Sequence, residues 1–127
     1  MRRKYKENLD DLKGETLTHI DLNEKKDEIL LTTESGRQFR VYHEQDCCEH
    51  VRIVGVLGRW NELLNRKVEE VGIDEIEFGS DYDYDGTGTE TTLTFRVDGK
   101  TLINRWIGES NGYYSEKVDF EEIFKGE

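Results

Sequence analysis

The sequence contains no proline, so its turns must take their backbone conformations from glycine, asparagine and aspartate. It also lacks a long apolar run, because its longest apolar-rich stretch, Val51 to Leu57, is far too short to span a bilayer. Residues 1–14 are basic and then polar, and without an apolar segment they do not form a secretory signal. We therefore expect a cytoplasmic protein that binds no membrane.

Cysteine and apolar residues are scarce as well. The two cysteines, Cys47 and Cys48, are adjacent, and the cytoplasm would keep them reduced. Apolar residues make up 34 % of the chain and the mean hydropathy is −0.84, so the core must be economical. An aromatic content of 10 % and the strand-like recurrence of apolar residues argue against disorder. The length predicts a single domain over residues 1–127.

Positive charge is the third shortage. Lysine and arginine number 18 against 29 aspartates and glutamates, which gives a formal net charge of −11. A field of this sign repels nucleic acid and anionic membranes, and it attracts cations or basic protein surfaces. Solubility alone would account for such a charge. The alternative is an acidic surface that imitates nucleic-acid phosphate and occupies a DNA-binding protein.

Apolar periodicity predicts strands over most of the first 80 residues. We expect a short helix over residues 4–12, one or two helical turns over 59–65, and strands over 17–23, 28–33, 37–43, 49–56 and 67–78. The strands over 28–33 and 37–43 would form a hairpin around Ser35-Gly36. A two-residue loop there would place Leu30 opposite Val41 and Glu28 opposite His43.

Two glycine-containing turns organise the C-terminal third of the chain. Asp98-Gly99 and Asn111-Gly112 are both strong signals for type I′ hairpins. The two hairpins share the strand over residues 101–107, which would then lie at the centre of a three-stranded meander. The second hairpin would pair Ile103 with Phe120.

This meander would be apolar on both faces and would need a cover on both. The first hairpin pairs Phe95 with Leu102, and Leu102 shares its face with Trp106. The N-terminal strands would cover one face and helical pieces the other. The predicted fold is mainly β (α+β), with antiparallel sheets arranged as a sandwich or partly open barrel and one or two short helices.

The stretch His43 to His50, HEQDCCEH, is the densest in reactive side chains. Thiolate and imidazole suit zinc, but adjacent cysteines lack the spacing of about two to four residues that structural zinc sites use. A zinc site would have to combine one cysteine with His43, His50 or a carboxylate. A nucleophilic cysteine is disfavoured because the neighbouring carboxylates, Asp46 and Glu49, raise a thiol pKa. The alternative is one cysteine buried as a small hydrophobic residue and one at a strand edge, with the carboxylates holding the loop in place.

A second candidate for metal binding is the loop that contains Asp81, Asp83, Asp85 and Gly86. Aspartates at alternate positions followed by glycine open the calcium loop of an EF-hand. The twelfth position of that loop is Thr92 rather than glutamate, and a strand follows instead of a helix. Calcium would therefore need another geometry, and the alternative is a solvated acidic loop.

The segment Gly108 to Glu116 is rich in hydrogen-bonding and aromatic groups, which suit a ligand or a protein partner. A hairpin tip with local packing is the alternative. We expect the fold to bring this segment and the HEQDCCEH stretch together as one binding surface. Its candidate residues are His43, Glu44, Asp46, Cys47, Cys48, Glu49, Glu109, Ser110, Asn111, Tyr113 and Tyr114.

The motifs HEQDCCE (His43 to Glu49) and W-x-G-E-S-N-G-Y-Y-S-E (Trp106 to Glu116) resemble a family of small bacterial and bacteriophage proteins known only as a domain of unknown function. The opening Leu12 to Leu17 and the strand Thr92 to Phe95 share the resemblance, so it covers most of the chain. It implies a phage or prophage origin in a bacterial host cell. It implies no established activity and provides no catalytic residues.

These observations favour a non-enzymatic binding module from a phage or mobile element that occupies a host protein through an acidic surface. The alternative is a small-ligand or metal-binding domain, for zinc or calcium, with its site between the Cys47-Cys48 stretch and the Glu109 to Tyr114 hairpin. A third hypothesis is a hydrolase-like enzyme that uses His43, Glu109 or a cysteine. The expected partner is a protein, and no cofactor is required.

Overall fold

The computed structural model describes residues 9–45, 48–79, 86–111 and 115–123. Within these ranges the fold has eight strands and one 3-10 turn at Trp60–Glu62. The strands are β1 (Leu17–Leu22), β2 (Glu28–Thr33), β3 (Gln38–Tyr42), β4 (His50–Leu57), β5 (Val68–Gly79), β6 (Thr87–Val97), β7 (Lys100–Ser110) and β8 (Asp119–Ile123). Of the helix predicted over 4–12, residues 9–12 are described, and residues 9 and 10 are helical before a turn.

The strands form two antiparallel sheets of four strands each. The first sheet has the order β1-β2-β3-β8, and the second has the order β4-β7-β6-β5. The mainly β prediction with antiparallel sheets is confirmed. The sheets do not close into a barrel, because each keeps two edge strands.

One hydrophobic core joins the two sheets. Alternation along each strand sends one set of side chains inward. Phe39 and Phe120 stack in the first sheet with ring centroids 5.6 Å apart, and the second sheet contributes Phe95 and Trp106, both fully buried. All four side chains belong to the same buried cluster, so the sheets face each other as a sandwich.

The Asp98-Gly99 turn confirms the local prediction in detail. Both residues have positive φ, 52° and 74°, as a type I′ turn requires. Phe95 pairs with Leu102 as expected. The turn chemistry lies within four residues, so nothing distant is needed to specify it.

The register predicted for the Ser35-Gly36 hairpin is wrong by one residue. Ile29 pairs with Val41, and Leu30 pairs with Arg40. The loop has three residues rather than two, because the Thr33 amide donates to the carbonyl of Arg37 at 2.8 Å. Gly36 has φ 94° and supplies the left-handed residue that a three-residue hairpin loop requires.

The predicted three-stranded meander is also wrong. β7 lies between β6 and β4, and Phe120 on β8 pairs with Val41 of the first sheet. The chain therefore leaves the second sheet after β7 and crosses to the first. Ile103 and Ile107, on the outer face of β7, are only half-buried, so that face is not fully covered as the meander would require. Residues 112–114 of the expected second hairpin lie outside the described ranges.

A buried hydroxyl without a partner gives a first stability prediction. The Oγ1 atom of Thr91 has no hydrogen-bond partner among the described residues, and the residue is 1 % exposed. Thr91→Val is therefore expected to raise the free energy of unfolding by about 1 kcal/mol. The matched control is Thr33→Val, since the buried hydroxyl of Thr33 contacts Ser35 and accepts from the Arg37 amide. Urea unfolding should show the two changes with opposite signs.

Candidate functional site

The two stretches singled out in the sequence do meet in the fold. β4 begins at His50, which pairs with Glu109 near the end of β7. Arg52 donates to the Glu109 carboxylate at 3.1 Å, so Glu109 is held by an ion pair across the two strands. The expectation that the fold joins these stretches is confirmed.

His43 and Glu49 form a buried acid–base pair at this junction. His43 Nε2 lies 2.8 Å from Glu49 Oε2, and the two side chains are 1 % and 0 % exposed. His43 Nδ1 lies 2.7 Å from the carbonyl oxygen of Lys117. A carbonyl oxygen only accepts, so Nδ1 carries a proton, and the second contact holds another proton between ring and carboxyl. Both ring nitrogens are thus engaged, and His43 cannot bind a metal without losing one of these bonds.

The rest of the HEQDCCEH stretch is only partly described. Glu44 and Cys48 are exposed, while Asp46 and Cys47 lie outside the described residues. Cys48 is disulfide-bonded, so the prediction of a reduced thiol at that position is wrong. The Gln45 side chain donates to the Glu49 carbonyl at 2.7 Å, which ties the loop to the start of β4.

Residues 115–118, the crossing segment, carry the chain from the second sheet to β8. Its Glu116 carboxylate accepts hydrogen bonds from three hydroxyls: Thr87 at 2.5 Å, Thr89 at 2.8 Å and Ser110 at 2.5 Å. Gly108 makes this approach possible, since a Cβ there would lie 2.9 Å from the Glu116 carbonyl oxygen. Ser110 is therefore a buried structural donor in this cluster.

The remaining candidates of the second stretch are placed as follows. Asn111 is half-buried and directly follows β7, and Tyr113 and Tyr114 lie outside the described residues. Shallow clefts flank the junction, one of about 560 Å³ that includes Cys48 and His50 and one of about 300 Å³ that includes His43 and Glu44.

Metal ligands do not cluster in the described ranges. No group of three or more His, Cys, Asp or Glu side chains there has the arrangement to hold an ion. The proposed calcium ligands, Asp81, Asp83 and Asp85, lie outside these ranges, so calcium binding by that loop stays a prediction. The parts of the chain that the structure describes also contain no helix long and apolar enough to cross a membrane.

Sequence reasoning missed a different surface, the distal half of β5. Residues 74–79 of this edge strand are all exposed, although Ile76 and Phe78 are large apolar side chains with 62 % and 38 % exposure. We call Asp74, Glu75, Ile76, Glu77 and Phe78 the acidic edge. Acidic and apolar residues alternate from Glu75 to Phe78, a pattern that could have predicted this surface. The irregular spacing of apolar residues along the whole strand obscured it. A bulge between Val68 and Glu70 accounts for the first break in the spacing, and the second arises because Ile76 lies on the opposite face of the strand from Ile73.

The acidic edge differs from several carboxylates on and beside the first sheet, which form ion pairs with arginines. Arg37 donates to Glu122 at 2.7 Å and to Glu15 at 2.9 Å. The hydrogen bond to Glu122 raises the pKa of Arg37 despite its partial burial. Burial alone would raise the pKa of Glu15, but hydrogen bonds from Arg37 and Ser35 outweigh it and lower that pKa.

On β5 the carboxylates lack such partners. Glu69 lies 4.0 Å from Arg96, at the limit of an ion pair. Asp74, Glu75 and Glu77 form no ion pair with any residue that the structure describes. Their negative charge therefore faces solvent and is not neutralised by a described arginine or lysine.

Residues 10–120 match the domain of unknown function DUF7448. The chain belongs to this family. The matched range contains the His43–Glu49 junction, the crossing segment and the acidic edge, so all three lie within the DUF7448 domain. No curated protein and no solved structure matches the chain.

Proposed function

We propose that this DUF7448 domain is a non-enzymatic binding module that engages a basic protein surface through the acidic edge. The observation that carries the proposal is an edge strand on which three carboxylates, without an ion pair to any described residue, lie beside two exposed apolar side chains. Apolar area gives a contact its free energy, and the charges select the partner and speed its approach.

The electrostatics of β5 support a basic partner. The strand VEEVGIDEIEFG contains five carboxylates and no lysine or arginine. The whole chain carries a net charge of −11, so its general field has the same sign as the local one. A cationic partner is attracted at long range and meets, at β5, carboxylates that form no ion pair with a described residue.

The biological setting follows from the resemblance noted above. Under this proposal the chain comes from a phage or mobile element and occupies a host protein. A nucleic-acid-processing factor is the natural class of target, because its basic surface evolved to bind phosphate. The proposal requires neither a metal nor a cofactor.

The experiment compares two variants of equal net charge. Asp74→Asn/Glu75→Gln/Glu77→Gln neutralises the acidic edge, while Asp21→Asn/Glu24→Gln/Glu34→Gln removes three exposed carboxylates elsewhere. These control carboxylates also form no ion pair with a described residue.

Each protein is immobilised and presented with host lysate at low salt, and bound proteins are quantified by mass spectrometry. We expect a defined set of basic proteins to bind the wild type and the control variant, and to be depleted at least tenfold on the edge variant. Equal depletion on both variants would reduce the effect to net charge and refute a specific site on β5.

A further inference from the structure

The geometry points to strand addition as the binding mode: an extended basic segment of the partner pairs with the open edge of β5. Its side chains alternate, basic ones facing Glu75 and Glu77 and apolar ones facing Ile76 and Phe78. This inference rests on the proposed function, because it specifies how the same surface is occupied.

The strand register shows which backbone groups of β5 are available. In a two-residue hairpin the residues flanking the turn are hydrogen-bonded to each other, here Val97 and Lys100. Odd-numbered residues of β6 therefore bond to β7, and even-numbered ones bond to β5. The even-numbered partners on β5 include Asp74, Ile76 and Phe78. The amide and carbonyl groups of Ile73, Glu75 and Glu77 consequently point away from the sheet.

This edge is longer than the other edges of the sandwich. β5 has 12 residues, against 6 in β1, 8 in β4 and 5 in β8. Other chain segments bond to three points along these edges: Val68 bonds to Glu15 and Gly14, the Ile53 amide donates to the Lys26 carbonyl, and the Leu17 carbonyl accepts from the Asn65 amide. From Ile73 to Gly79 no described residue outside β6 bonds to the β5 backbone.

The two faces of the edge differ in chemistry, which predicts the pattern of the partner. Glu75 and Glu77 lie on the inner side and border a groove of about 650 Å³ whose lining also includes Phe78, Glu116 and Lys117. Ile76 and Phe78 lie on the outer side, where the Phe78 ring packs over Gly88. Directly opposed residues of paired strands share a face. Basic residues two apart would therefore face the glutamates, and the apolar residues between them would face Ile76 and Phe78.

Charge decides between this occupant and a second copy of the chain. Pairing β5 with another β5 would oppose carboxylates across the new ladder, and directly opposed like charges destabilise a sheet. Charged side chains in general also protect an edge from self-association. With a basic strand, each carboxylate faces a positive side chain, so repulsion is replaced by attraction. The residues that exclude a second copy therefore select a cationic segment.

The experiment uses a synthetic nine-residue peptide of alternating lysine and valine, KVKVKVKVK, with two backbone-methylated versions. One carries N-methyl groups on the lysines and the other on the internal valines, so the charge is equal. Amides of alternate residues point to opposite edges of an extended strand. In antiparallel addition the lysines lie opposite Glu75 and Glu77, and their amides face β5.

Binding to the intact protein is measured by fluorescence anisotropy at low salt. We expect the unmodified and the valine-methylated peptides to bind alike, and lysine methylation to weaken binding at least tenfold. Loss on valine methylation alone would support strand addition in the parallel orientation. The edge variant should bind the unmodified peptide at least tenfold more weakly than Asp21→Asn/Glu24→Gln/Glu34→Gln does.

Two results would overturn the inference in different ways. If both methylated peptides bind as well as the parent while the edge variant binds poorly, the acidic edge binds cations without strand pairing, and only the proposed function stands. If the unmodified peptide does not bind at all, strand addition by an alternating basic segment is refuted. The proposed function is then tested independently by the binding of host-lysate proteins to the edge variant and the control variant.

Discussion

Glu49→Ala is expected to lower the free energy of unfolding by about 3–5 kcal/mol, because it leaves one member of a buried acid–base pair without its partner. His43 and Glu49 are both excluded from solvent and 2.8 Å apart. Without the carboxyl group, the buried His43 Nε2 loses its hydrogen-bond partner. Denaturant unfolding followed by tryptophan fluorescence measures the loss.

The informative control is Glu49→Gln. Its amide can donate to Nε2 of a neutral ring while Nδ1 still donates to the Lys117 carbonyl, so we expect a loss of about 1–2 kcal/mol. Glu24→Ala, at an exposed position, should change stability by less than about 0.5 kcal/mol. If Glu49→Ala unfolds at the same denaturant concentration as Glu24→Ala, the pair does not stabilise the junction.

Gly108→Val is expected to cost about 2–4 kcal/mol by forcing the crossing segment away from the second sheet. A Cβ at Gly108 would lie 2.9 Å from the Glu116 carbonyl oxygen and 3.0 Å from Val51 Cγ2. The first of these is a backbone atom, so relief requires a backbone shift. Such a shift of Glu116 would also strain its hydrogen bond from Ser110, and losing this bond is costly because both partners are buried.

Gly72→Val provides the matched control for this substitution. Gly72 also lies in the second sheet, but a Cβ there has nothing within 4 Å. Valine favours strands, so this substitution should be neutral or slightly stabilising. Thermal unfolding of both variants separates crowding at Gly108 from a general effect of replacing strand glycine. Equal melting temperatures would show that close contact with Glu116 is not required.

Local chemistry explains which parts of the fold the sequence could predict. Asp98-Gly99 specifies its own turn through two positive φ angles, and the register of β6 and β7 follows from it. Ser35-Gly36 was less informative. Gly36 supplies positive φ in either a two-residue or a three-residue loop, and only the Thr33–Arg37 closing bond distinguishes them.

Long-range pairing explains the larger error. Asn111-Gly112 carries the same letters as a type I′ turn, yet β8 pairs with β3 rather than β7. The edge of β7 that β8 would have used is occupied by β4, about 50 residues earlier in the chain. A turn-forming dipeptide indicates only the local backbone preference. It does not show whether another strand competes for the same sheet edge.

The candidate site was predictable only in part for similar reasons. Clustered letters correctly indicated that the HEQDCCEH stretch and the Gly108 to Glu116 segment meet. They did not indicate that His43 and Glu49 would form a buried pair with each other, because burial cannot be read from the clustered residues alone. The acidic edge was harder still, because exposure of Ile76 and Phe78 follows from strand order and not from their own hydrophobicity.

The pairing of β8 with β3 has a consequence for synthesis on the ribosome. Val41 must wait for Phe120, 79 residues later, which at about 5–20 residues per second means several seconds of translation. Throughout that interval the nascent first sheet has three strands, and Phe39 lacks the aromatic ring that stacks on it. The second sheet, built largely from sequential hairpins, can assemble during this delay. Emergence of β8 is then the event that completes the core and ends the period of greatest exposure to aggregation.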